Sequence, residues 1–148
     1  MIDRVVLNPN LAFAWYASGL VKSLLGDEPA VAIEHISQAI RLNPLDPFVY
    51  TIEAAMALAH FFNGTYDESS SWALKALRNN PRNPGALRIS AASNALAGRP
   101  EEARTALARA LELDPGMRIS NLDARVRGFR PAAAAKYADA LRRAGLSE

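Results

Sequence analysis

The 148-residue sequence predicts an all-α solenoid of antiparallel helix pairs closed by a C-terminal capping helix. Three observations predict it. Proline recurs at Pro9, Pro44, Pro81 and Pro115, at intervals of 35, 37 and 34 residues. Inside each interval stands a second break: Gly26-Asp27, Asn63-Gly64 and Gly98-Arg99-Pro100. Between breaks, apolar and small residues fall three and four apart, as in Ala32, Ile36, Ala39, Ile40 and in Ala103, Ala106, Leu107, Ala110, Leu111. That spacing lays one stripe against a neighbouring helix, and repetition at this period marks stacked helical units.

Each element follows from these signals, and one domain covers residues 1–148. Val5-Val6-Leu7-Asn8-Pro9 overlays Ala39-Ile40-Arg41-Leu42-Asn43-Pro44, Ala76-Leu77-Arg78-Asn79-Asn80-Pro81 and Ala110-Leu111-Glu112-Leu113-Asp114-Pro115. Residues 2–9 therefore read as the end of a preceding repeat's second helix, and the chain as part of a longer protein. Repeats follow at 10–46, 47–83 and 84–117. Each closes on a proline, which cannot continue a helix and pushes the residue before it out of the α region. Pro29 and Pro100 suit the first turn of the second helices, and glycine at a break supplies a left-handed cap. The second repeat has about three extra residues around Ala57–Phe62, which predicts a lengthened or bulged first helix. Residues 118–130 read as irregular or a short helix. A capping helix spans 131–146, with Ala134, Tyr137, Ala138 and Leu141 on one face; solenoid ends need such a cover.

Composition narrows the function. With no cysteine, disulfides and thiolate metal sites are excluded, and a reducing, cytoplasmic setting is expected. The longest nearly unbroken apolar run, Ala54–Phe62, is interrupted by His60 and falls far short of the roughly 20 residues of a membrane helix. The start of the chain lacks the basic and long apolar regions of a signal peptide. Arginine outnumbers lysine 14 to 3, which with abundant alanine favours helix and suggests a GC-rich bacterial source. Residues 1–74 carry three basic and eight acidic side chains, and residues 75–148 fourteen and seven. This asymmetry fits a solvated surface, an acidic partner, or head-to-tail contact in a homo-oligomer.

The period and the residues Trp15, Gly19, Gly26-Asp27, Ala32, Ile36, Ala39 and Pro44 resemble the tetratricopeptide repeat (TPR), a helix-turn-helix unit of 34 residues. The third repeat keeps Ala91, Gly98, Glu101-Glu102-Ala103, Leu107, Ala110 and Pro115. The second departs most, with Ser69 where alanine is usual. The resemblance covers residues 2–117 and implies a TPR-type α-solenoid that binds proteins or peptides. The tail, Arg130-Pro131, Lys136-Tyr137 and Ala140-Leu141-Arg142-Arg143-Ala144-Gly145-Leu146, is similar to the end of bacterial class III adenylate or guanylate cyclases that have C-terminal TPRs. That similarity implies a regulatory or docking region and transfers no cyclase residue.

Catalysis finds no support in the residues. There is no Gly-Lys-Ser/Thr phosphate loop, no Gly-x-Gly-x-x-Gly and no His-Glu-x-x-His. His35 and His60 lack ligand spacing, so no metal, cofactor or catalytic residue is expected. Asp67-Glu68 and Glu101-Glu102 open second helices, where negative charge suits the dipole. Asn63-Gly64-Thr65 reads as a turn. Trp15 and Trp72 read as packing residues, while Phe61-Phe62 at the second-repeat turn reads either as core or as an exposed aromatic pair marking an interface.

The resemblance places a binding groove along the first helices. Its residues would be Phe13, Tyr16 and Leu20 from repeat one, Phe48, Thr51 and Ala55 from repeat two, and Arg88, Ala92 and Ala95 from repeat three. Tyr16 and Leu20 stand where family members that clamp a chaperone's carboxylate carry polar or basic groups, which disfavours that ligand. The alternative is nucleic-acid binding by Arg78, Arg82, Arg88, Arg118, Arg125, Arg127 and Arg130. It requires those arginines on one continuous face, and the basic tract lacks interleaved aromatics.

Overall fold

The computed structural model of the chain describes residues 9–25 and 27–148. The reading of residues 2–9 as a helix remnant and the break at Gly26 thus fall largely outside the described residues. Among those described, seven α-helices run in order: α1 (Pro9–Leu25), α2 (Pro29–Leu42), α3 (Val49–Asn63), α4 (Tyr66–Asn79), α5 (Pro84–Leu96), α6 (Pro100–Leu113) and α7 (Pro131–Ala144). A 3-10 helix at Ile119–Ala124 separates α6 from α7. The tightest packing joins α1 to α2, α3 to α4 and α5 to α6. Second helices then stack on the next pair, α2 on α3 and α4 on α5, while α1, α3 and α5 touch in series. The fold is an all-α helical-repeat solenoid.

The punctuation does the structural work its chemistry allows. Proline stands in the first turn of α2, α5, α6 and α7, where a missing N–H leaves no bond unmade. Gly64 ends α3 at φ +81°, and its N–H and that of Thr65 return to Phe61 and His60 carbonyls at 3.2 and 3.1 Å. Asn83 caps α5 by accepting from the Ala86 N–H at 3.2 Å. The extra residues of the second repeat divide between two places. The 15-residue α3 is two longer than the 13-residue α5, and the connection 43–48 ahead of it is two longer than 80–83 ahead of α5, while the turn 64–65 after it is one shorter than 97–99. Ser69, the departure from alanine, is buried at 0 % exposure and donates to the Ala57 carbonyl at 2.7 Å, so its hydroxyl is satisfied.

Small residues set the interhelical distance. A Cβ on Gly19 would lie 2.4 Å from Ile36 Cγ1 and 3.1 Å from the Ala32 carbonyl oxygen, so glycine permits the close approach of α1 to α2. Gly19→Ala would gain about 1 kcal/mol of helix propensity but overpack a site where Ile36 is fully buried, at about 1–3 kcal/mol. We expect a net loss in urea unfolding. In a double-mutant cycle, Ile36→Ala should cost at least about 0.5 kcal/mol less in the Gly19→Ala background than alone. Strict additivity would refute the contact.

Two buried clusters run through the stack. One joins the first two pairs through Ala32, Ile36, Ile52, Ala55, Met56 and Ala59. The larger runs from Phe61 and Leu77 through Leu87, Ala91, Ala103 and Leu107 into the C-terminal segment at Tyr137, Leu141 and Leu146. That segment is pinned at several points. Arg125 grips Asp114 with two bonds, at 2.7 and 2.9 Å. Ile119 and Ser120 N–H groups donate to the Ser147 and Glu148 carbonyls at 2.8 and 2.9 Å. The Arg130 N–H reaches the Leu24 carbonyl at the end of α1, 3.1 Å away, and its guanidinium pairs with Asp27. α7 then packs chiefly on α5 rather than on α6.

Candidate functional site

The first helices do line one side of the solenoid, but the C-terminal segment occupies part of it. Ala92 is 0 % and Ala55 4 % exposed, so both belong to the core and offer a partner no surface. Ala95 is half-buried against the larger cluster. Arg88 turns toward the tail. Its Nη2 donates to the Arg125 carbonyl at 3.4 Å, and its charge acts on Asp114 and on the Tyr137 hydroxyl. The third-repeat stretch of the expected groove is thus filled from within the chain.

The first two repeats keep theirs open. A cavity of about 400 Å³ lies between α1 and α3, lined by Asn10, Ala12, Phe13, Tyr16, Asn43, Asp46, Phe48, Thr51 and Ile52. It gathers four predicted residues: Phe13, Tyr16, Phe48 and Thr51. Phe13 and Phe48 are 67 % and 63 % exposed, which leaves their rings available. Phe13 tilts against Tyr16 with centroids 6.2 Å apart. Tyr16 is half-buried, and burial raises its pKa while a hydrogen bond to Thr51 opposes the shift, so the two residues tie α1 to α3 across the cavity floor. Leu20 lies half-buried beside it in the first cluster. Sequence reasoning missed the polar rim, Asn10, Asn43 and Asp46. Asp46 accepts from the Phe48 N–H at 2.8 Å and from Asn43 Nδ2 at 3.4 Å, a local turn that fixes the Phe48 backbone.

No family model matches the chain, and no curated protein matches it either.

A larger depression of about 570 Å³ lies outside, between α4 and α6. Three of its polar side chains form one network, in which Asn94 accepts from Ser70 at 3.2 Å and from Arg99 Nε at 2.7 Å, and Arg99 reaches out to pair with Asp67 at 2.6 Å. The nucleophile-like contact of Ser18 Oγ with His35 Nδ1, 2.8 Å, also escaped sequence reasoning. Trp15 stands edge-on to that imidazole at 4.9 Å, and among the described residues no carboxylate bonds to His35. The contact joins α1 to α2. His60 meets Thr65 at 2.7 Å, and burial lowers its pKa against the pull of Glu68. No group of three His, Asp or Glu side chains among the described residues could hold a metal ion, and no helix among them is long and apolar enough to cross a membrane.

The arginines divide. Arg125 and Arg130 are paired with Asp114 and Asp27, Arg118 donates to the Pro115 and Met117 carbonyls, and Arg88 serves the tail. Arg78, Arg82 and Arg127 point to solvent. Of the seven basic residues a nucleic acid would use, four are engaged within the protein.

Proposed function

We propose that this chain is a TPR-family scaffold whose function is to hold a protein or peptide partner, without catalysis of its own. The observation that supports this best is the open cavity between α1 and α3, with two exposed phenylalanines, a floor where Tyr16 meets Thr51, and a polar rim. Aromatic anchors of low conformational entropy suit an extended peptide or a helix edge. The similarity of the tail to that of class III cyclases with TPRs supports a regulatory region of a bacterial signalling protein in the cytoplasm. Nucleic-acid binding is disfavoured by the internal engagement of Arg88, Arg118, Arg125 and Arg130.

Selection of peptides from a random library against the chain tests the reading. Selected peptides should lose about tenfold or more in affinity on Phe13→Ala or Phe48→Ala, as expected for interface anchors. Leu74→Ala, 51 % exposed and outside the groove, should leave binding intact. Peptides indifferent to both phenylalanines would refute the groove, and salt-dependent binding of DNA or RNA would favour the alternative.

A further inference from the structure

The three second helices are each 14 residues long, so α2, α4 and α6 align position by position from Pro29, Tyr66 and Pro100. At the third, seventh and tenth positions α4 carries Glu68, Trp72 and Lys75, and α6 carries Glu102, Ala106 and Arg109. In α4 the ring and the cation act together. Trp72 is half-buried and packs against both core clusters, at the junction of the first two pairs, and Lys75 Nζ lies over it, 4.5 Å from the ring centroid. α6 keeps the two charges and omits the ring. Ala106 lines instead the depression of about 570 Å³ at the junction of the last two pairs, whose apolar walls include Leu74, Leu77 and Leu87. Leu74 is 51 % exposed there, whereas Ser37 holds its place in α2.

We propose that this depression binds a tryptophan side chain presented by a segment of another protein, with Arg109 stacked on it as Lys75 is on Trp72. A methyl stands where the preceding repeat carries an indole, so the outer face has the walls and the cation of an aromatic seat without its ring. The ring comes from outside the chain. Trp15 stands edge-on to His35 at 4.9 Å and Trp72 is packed into the clusters, which leaves this chain no tryptophan to offer a second copy. Charge specifies the segment. Among the described residues Arg109 bonds only the Pro81 carbonyl, 3.2 Å away, and Glu102 is exposed. Seven residues of helix set the two about 10 Å apart, a distance that an extended peptide covers in about three residues. The tryptophan should therefore have a basic residue within two positions on one side, toward Glu102, and an acidic one within two on the other, toward Arg109; complementary charges of this kind fix orientation and reject other partners. The seat lies on the outer face and does not rest on the groove between α1 and α3.

Titration of the full chain with the capped pentapeptide Lys-Ala-Trp-Ala-Glu and with its reversal, followed by NMR, tests the proposal. We expect saturable shifts of the Leu74 and Leu87 methyls with one of the two, and binding weaker by about tenfold or more when alanine replaces the peptide's tryptophan. Ala106→Trp supplies the ring from within. It should unfold at no lower urea concentration than the natural chain and should abolish peptide binding. Arg109→Glu, at an exposed position, should weaken binding severalfold and shift the preference to Lys-Ala-Trp-Ala-Lys. Phe13→Ala should leave the titration unchanged. Shifts that are absent or confined to the groove between α1 and α3, clear destabilisation by Ala106→Trp, or peptides that bind the Ala106→Trp chain as well as the natural one would overturn the proposal. So would a natural chain that self-associates and becomes monomeric on Ala106→Trp, which would give the seat to a second copy. The groove is tested through Phe13 and Phe48 and this seat through Ala106 and Arg109, so the two readings fail separately.

Discussion

Phe61→Ala should cost about 3–5 kcal/mol, as for other buried aromatic truncations, and should release the C-terminal segment before the rest unfolds. Phe61 is fully buried at the end of α3, where its ring meets Phe62, Tyr66 and Tyr137 with centroids 5.2, 5.8 and 5.6 Å apart. Lys136 lies 5.3 Å from the ring, and its Nζ donates to the Phe61 carbonyl at 3.4 Å. One side chain therefore joins the second repeat to α7 across 75 residues of sequence. Offset aromatic pairs add to the burial itself, and the cavity left by alanine has few neighbours free to collapse into it. In a stack whose units contact mainly their neighbours, such a loss stays local at first. Limited proteolysis should cut within 126–135 well before α4 or α5 opens. Phe61→Leu, which keeps most of the volume, should cost less than about 2 kcal/mol. Equal losses from Leu and Ala, or cleavage starting in α1, would refute this account.

The stacking of helices was legible because it rests on local chemistry that repeats. A proline that cannot continue a helix, a glycine that can cap one and a three-four apolar stripe each act within a few residues, so their spacing reads directly as helix pairs. Gly19 illustrates the limit of such reading: the residue stands out in the pattern, but only the 2.4 Å approach to Ile36 explains it. The C-terminal return was not legible. The bond from Arg130 to the Leu24 carbonyl and the Phe129 ring, 5.8 Å from Phe62 and 5.4 Å from Tyr137, join residues far apart that share no period. A capping helix was expected, but its seat on α5 was not.

The same distinction governs the candidate site. Phe13, Tyr16, Phe48 and Thr51 converge because their positions follow from the repeat register. Arg88 and Ala92 share that register with Thr51 and Ala55, yet the tail claims the surface around them and Ala95, a consequence of long-range packing that no periodic pattern encodes. Ala55 is lost for a simpler reason: α3 is covered by helices on more sides than α1, so the same register position is fully buried as Ala55 and only half-buried as Leu20. Asp46 could have been found, since Asn43-Pro44-Leu45-Asp46-Pro47 is a turn sequence whose carboxylate is placed to accept from the chain two residues on.

Above pH 10 the protein should lose stability through Tyr137. Its hydroxyl is fully buried in the larger cluster, and desolvation pushes its pKa up to about 12 against the opposing influence of Arg88. In the unfolded chain a tyrosine ionises near pH 10. Below that pH both states keep the proton, and the native preference for the neutral phenol contributes in full. Between about 10 and 12 the unfolded chain binds fewer protons than the folded one, so stability must fall as pH rises. Two units correspond to about 3 kcal/mol. Tyr16, raised by burial, moves in the same direction. Unfolding free energies measured at pH 9, 10 and 11 should therefore decline in the natural chain and decline less in Tyr137→Phe, which has no proton to lose. The phenolate absorbance of Tyr137 should not appear in the intact fold below about pH 12, because burial beside Phe61 and Phe129 disfavours the charged form. An unchanged slope in Tyr137→Phe, or a phenolate formed in the intact fold near pH 10, would mean that water reaches this ring and that α7 does not seal the cluster around it.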